Sequence, residues 1–319
     1  MPASNTIRGK AFEYACLSAI RSTLQGLGQT IAINTSSAYL TAENCYHSLS
    51  QAEQDALDAA AATAARMIFP LEPKLEYEPG TLLLAINADA AAIGPAGDVR
   101  DVLCVRREND WEIGISCKHN HAALKHPRVT EDKNFGRDWM GYPCSTEFIQ
   151  EITPVIEPLQ EMRENDVLWS QVPDKMNAYY VPIINAYKDE IVRICAAHPD
   201  APEKLLAYFF GSHDFYKVIS NERRKTTTVE GFNMHGSLGK PSGRVRPVTR
   251  VSVLHMPSRL IEASIKPRSK TTIILVFDGG WTVSMRLHNK DKRVSPTSLA
   301  WDVQLVGLPT GTYVNTQSW

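Results

Sequence analysis

The chain has 319 residues, 34 Lys/Arg against 35 Asp/Glu, and six cysteines. That length can bury a hydrophobic core unaided, as one large domain or two modest ones, and no run of about eighteen apolar residues is free of charge, which excludes a membrane-spanning helix. Cys16, Cys45, Cys104, Cys117, Cys144 and Cys195 show no CxxC spacing, which argues against a disulfide framework and a zinc site, and Glu13 breaks the N-terminal stretch that could act as a secretory signal, so a cytoplasmic protein is expected.

Along the chain, residues 8–27 place Phe12, Ala15, Cys16, Ile20 and Leu24 three to four apart, which predicts an amphipathic helix with Glu13 and Tyr14 on its flank. Ser50 and Glu53 form a capping box that opens a second, alanine-rich helix ending before Pro70. The run TLLLAIN after Gly80 reads as a buried strand, followed by the small-residue loop ADAAAIGPAG at 88–97. Two short apolar runs, 101–106 and 111–118, then flank the polar tetrapeptide Arg107-Glu108-Asn109-Asp110, which is a β-hairpin pattern.

Centring the turn between Glu108 and Asn109 sets Asp101 opposite Ser116, on the face that Lys118 shares two residues on. Cys117 points the other way, into the core. An acid there can hold a divalent cation, and an ammonium can polarise water or offset charge developing on a phosphoryl group. The polar ends of an ordinary hairpin would fit the same pattern. Context adds weight: a further acid at Asp98, Glu13 on the first helix, and the basic run KHNHAALKHPR that begins at Lys118 itself.

Helical patterns resume at 145–164, 181–197 and 202–210, followed by a short aromatic segment, HDFYKVIS. Beyond Asn221 the texture turns to strands, VSVLHM, TTIILVFD and WTVSMRLH, the last two joined by Gly279-Gly280, a turn that tolerates positive φ. A soft boundary at this point divides a catalytic domain, 1–220, from a β-rich basic region, 221–319. Residues 223–293 hold 15 Lys/Arg against 4 Asp/Glu, so the near-neutral total hides a basic module suited to a polyanionic partner.

The order of acid at a strand start, short hairpin and strand-terminal lysine resembles the PD-(D/E)XK nuclease core, with the acid usual before the lysine replaced by Ser116. GDVRD at 97–101, WEIGISCKHNH at 111–121, LKHPR at 124–128, NFG at 134–136, DFYKVIS at 214–220 and DGGW at 278–281 together resemble the HaeIII family of type II restriction endonucleases, over most of the chain. The resemblance implies an α/β (α+β) restriction-endonuclease-like core, a mixed sheet flanked by helices, acting with Mg2+ on double-stranded DNA at GGCC and cutting GG/CC to blunt ends. It implies Asp101 as metal-binding acid, Lys118 as catalytic lysine and Glu13 as a helix-borne acid. Asp98 either joins the metal or braces the turn.

Ser116 leaves one acid to be supplied from elsewhere. Glu112 lies roughly 13 Å up the strand from Asp101 at the usual rise, too far to serve. Glu131 follows Lys118 after about a dozen residues, and Thr130 could cap a short helix that swings it back. For DNA contact the candidates are His119, Asn120, His121, Lys125 and Arg128 in the basic loop, with Arg244, Arg246 and Arg250 in the C-terminal region offering guanidinium forks for guanine. A palindromic target suits a homodimer. Two alternatives stay open on the residues alone: a structure- or damage-specific nuclease of the same superfamily, and a DNA-binding protein without catalysis.

Overall fold

In a computed structural model, residues 4–88, 98–120 and 123–319 are described. His121 and most of the loop at 88–97 therefore lie outside the described residues. The first helix, α1 (Asn5–Gly26), is capped by Ser4, whose Oγ accepts the Ile7 N–H, and it buries Phe12, Ala15, Cys16, Ile20 and Leu24 as their spacing requires. Helices α2 (Ser37–His47) and α3 (Gln51–Ile68) pack beside it, α3 opens on the expected Ser50/Glu53 capping box, and a one-turn helix, α4 (Pro73–Glu76), follows.

The fold is α+β and, among the described residues, has a mixed sheet of seven strands and an antiparallel sheet of five. In spatial order the first comprises β1 (Ile31–Asn34), β2 (Leu82–Ile86), β3 (Val102–Arg106), β4 (Trp111–His119), β6 (Phe215–Asn221), β7 (Thr226–Phe232) and β12 (Tyr313–Ser318). Strands β1 and β2 are parallel, as are β4 and β6, and the remaining pairs are antiparallel. The second sheet runs β5 (Ala123–Lys125), β11 (Leu299–Gly307), β10 (Thr282–Asn289), β9 (Thr272–Phe277) and β8 (Leu260–Ile265). The residue-221 boundary falls between β6 and β7, neighbours in one sheet.

Two cores follow from this layering. Helices α1 to α3 cover one face of the first sheet, where Ile113, Ile115 and Cys117 of β4 line up with Tyr216 and Val218 of β6. The second sheet packs on α5 (Phe135–Met140), α6 (Thr146–Glu164), α7 (Val181–Ala197) and α8 (Ala201–Phe210), around Tyr187, Trp281 and Trp301. Phe215 and Phe232, stacked at 4.9 Å on the first sheet, join that second core. The Gly279-Gly280 turn takes φ of 70° and 91°, values that favour glycine.

One expected strand is absent. The segment VSVLHM is irregular, because its backbone is tied into the loop after β7: Asn233 Nδ2 donates to Val251 O and Leu254 N to Asn233 O. The neighbouring strand of the second sheet is β8 instead.

Candidate active site

The hairpin register is the one its turn length dictates. Val102 pairs with Ile115 and Val105 with Glu112, which carries Asp101 to Ser116 just beyond the ladder. Two backbone bonds pin Asp101: its N–H donates to Ile115 O at 2.8 Å, and its carbonyl accepts from Asn87 N at 2.9 Å. Three donors converge on one carboxylate oxygen, Oδ2: the Cys117 N–H at 2.7 Å, Ser116 Oγ at 3.4 Å and Lys118 Nζ at 3.4 Å. Asp101 and Lys118 are thus in contact at the strand end, and Ser116 fills the place of the expected acid as a hydrogen-bond donor to Asp101.

Glu13 reaches the same point from α1. It is buried, and Lys10 Nζ donates to its Oε2 at 3.2 Å. Burial, then the negative charge of Asp101, push the Glu13 carboxyl up to about 8, while Lys10 and Lys118 pull it back. Its carboxylate therefore stands in the field of both hairpin residues. Cys16, one helical turn on, has its thiol against Cys117, and burial holds the Cys117 thiol well above the usual range, so this pair is packing rather than nucleophile.

Two carboxylates close enough to interact, beside a lysine, suit a divalent, oxygen-preferring cation, since besides burial it is the repulsion from Asp101 that raises Glu13, and such an ion relieves it. Among the described residues no group of three or more His, Cys, Asp or Glu converges on a point. Asp101 and Glu13 are the acids this site offers.

Asp98 is committed elsewhere. Arg100 Nε donates to both of its oxygens at 2.8 and 3.0 Å and Nη2 to Oδ2 at 2.7 Å, while Nη1 reaches Glu112 at 2.7 Å. Burial alone would raise the Asp98 carboxyl; the Arg100 bonds outweigh it and hold it below the usual range. Asp98 thus braces the turn. Glu131 pairs with Arg163 at the end of α6, and Thr130 leads into a turn rather than a helix, which starts only at Phe135.

The basic loop divides in two. The His119 side chain is buried, 6.0 Å from the Phe12 ring and 3.5 Å from Glu222, and burial lowers its basicity. Lys125 Nζ sits 3.6 Å over the Tyr208 ring and donates to Tyr208 O, with burial lowering it to about 8. Asn120, at φ 58°, exchanges bonds with Glu222, and Arg128 is half-exposed against Asp291. Arg244, Arg246 and Arg250 are exposed on the long loop between β7 and β8.

Sequence reasoning missed Lys217 on β6. It is 1% exposed, pairs in register with Ser116, and lies 3.7 Å from Glu230 on β7. Burial lowers the lysine and raises the glutamate. A lysine amid the apolar residues of FYKVI was the available signal.

Comparison with known proteins gives two matches over nearly the whole chain. The family model described as HaeIII restriction endonuclease matches residues 9–309. The chain is 34% identical over 302 residues to the type II restriction enzyme HaeIII of Haemophilus aegyptius, covering 94% of each chain. No solved structure matches.

Proposed function

The chain belongs to the HaeIII restriction endonuclease family and is a type II site-specific deoxyribonuclease; from that premise we propose that it hydrolyses duplex DNA at GGCC, between the central G and C, leaving blunt ends with Mg2+ as cofactor. The observation that carries the site assignment is the 3.4 Å contact of Asp101 with Lys118 at the hairpin end, with buried Glu13 of α1 near enough for both charges to act on it. Asp101 and Glu13 would hold the metal, which supplies charge stabilisation to the phosphoryl group in the transition state and makes water acidic.

The chain's own residues do the rest. Asp101 Oδ2 is fixed by the Cys117 N–H, so the carboxylate is oriented before substrate arrives. Lys118, in contact with Asp101, orients the attacking water or takes its proton. Arg100 and Asp98 hold the chain entering the hairpin. Among the described candidates, exposed Arg244, Arg246 and Arg250, with Arg128 and Asn120, are the groups available to meet DNA. A two-fold dimer would match the symmetry of the target. Among the described residues, no helix is long and apolar enough to cross a membrane.

Lys118→Ala tests the assignment. Cleavage should fall by about a thousandfold or more while affinity for GGCC duplex changes little, because the lysine serves chemistry rather than docking. Full cutting by that variant would remove Lys118 from the mechanism.

A further inference from the structure

Just past Lys118 the end of β4 closes over a small cavity, lined among others by Arg8 of α1, Glu53 of α3, His119, Ser220, Glu222 and Trp319. It leaves about 10 Å³ for the centre of a water molecule, close to what one molecule needs. Nine buried side-chain polar atoms among the described residues have no hydrogen-bond partner, and four belong to this lining: Arg8 Nε, His119 Nδ1, Ser220 Oγ and Trp319 Nε1. Buried polar groups are costly unless bonded, so their concentration around one cavity marks a polar occupant.

The chemistry of the four atoms selects that occupant. Arg8 Nε and Trp319 Nε1 can only donate, whereas Ser220 Oγ and His119 Nδ1 can donate or accept. A water accepts from Arg8 and Trp319 and donates to Ser220 Oγ and to His119 Nδ1, in the tautomer whose Nε2–H faces Glu222 at 3.5 Å rather than the one that accepts from Asn120 Nδ2 at 2.9 Å. The carboxylates of Glu53 and Glu222 disfavour an anion.

The elements joined here are those that carry the catalytic groups. Arg8 Nη2 donates to Glu53 at 2.6 Å and Nη1 lies 3.8 Å from Glu222, which in turn lies 3.5 Å from His119. Phe12, next to Glu13, packs on the His119 ring, next to Lys118. We propose that the cavity holds one ordered water, and that Arg8, His119, Ser220 and Trp319 bonded to it form a positioning cluster that sets Lys118 of the hairpin against Glu13 of α1. The positioning role rests on the catalytic reading of Glu13 and Lys118; the water does not.

Two measurements on the full chain test this. In 15N-labelled protein the Trp319 indole N–H, assigned by its loss in Trp319→Phe, should show a cross-peak to a long-lived bound water, and absence of that cross-peak overturns the hydration site. In single-turnover assays His119→Ala should cut about 10-fold to 100-fold more slowly and need more Mg2+, as loss of a supporting contact does, with DNA affinity and its salt dependence unchanged. His119→Gln, whose amide reaches the cavity, should recover most of the rate. Wild-type cutting by His119→Ala overturns the positioning role, and so does a loss of affinity with a salt slope reduced by about one, which is the behaviour of a phosphate contact. If Lys118→Ala cuts normally the catalytic reading fails instead, and the water cross-peak still stands or falls by itself.

Discussion

Single side chains decide the chemistry by what else they touch. Asp101 and Asp98 are three residues apart, yet one is held by a backbone N–H and a lysine at the strand end, the other is consumed by Arg100. Glu13 is the sharper case, since burial and Asp101 together raise it to about 8 against Lys10 and Lys118, and the proposed cation shared with Asp101 would relieve part of that cost. Glu13→Gln should therefore cut DNA about a hundredfold more slowly and require more Mg2+, with binding retained, in a single-turnover metal titration. Unchanged metal dependence would take Glu13 out of the site. Lys217 tests burial: Lys217→Met leaves the half-buried Glu230 without that cation and should cost about 2 kcal/mol in urea unfolding, while adding Glu230→Leu should restore most of it.

Elements set how accurately those side chains meet. Gly114 of β4 faces Arg100, and a Cβ there would fall 2.0 Å from Arg100 Cδ. Gly114→Ala should displace Arg100, release Asp98 and lower stability by about 2 kcal/mol, with a loss of cleavage because Asp101 adjoins Arg100, both readable by melting and digestion of one preparation. The hairpin was legible in the sequence because a four-residue polar turn between apolar runs fixes register, and register fixes which residues share a face. The capping box of α3 and the apolar stripe of α1 were legible for the same local reason. What lay beyond reach was tertiary: nothing local tells that Tyr208 stacks on Lys125 or that Asn233 holds VSVLHM out of a sheet. The basic loop read as DNA-facing is half interior, because charge shows in one dimension and burial does not.

At the scale of the whole molecule, the C-terminal third contributes β7 and β12 to the sheet that holds the site and most of the second sheet as well. Glu72 knits that region to the nuclease core, accepting from Tyr216 Oη at 2.7 Å and Gly239 N at 2.6 Å. Burial raises Glu72 to about 7 against those two bonds. The folded state then keeps a proton that the unfolded chain releases near the ordinary glutamate range, so this contribution is full at low pH and is lost as pH rises toward and through 7. In metal-free buffer the melting temperature should fall between pH 5 and pH 8, and less steeply in Glu72→Gln; identical slopes would contradict the assignment.

On the proposed function, the exposed arginines of the β7–β8 loop would read duplex sequence and the site on α1 and the hairpin would cut it. The most direct test is a digest of DNA of known sequence with Mg2+ or with chelator, with every fragment end sequenced. Discrete fragments with blunt ends between G and C of GGCC, formed only with the metal, are the result expected. A smear, nicking that follows DNA structure rather than sequence, or cutting that persists in chelator would contradict it.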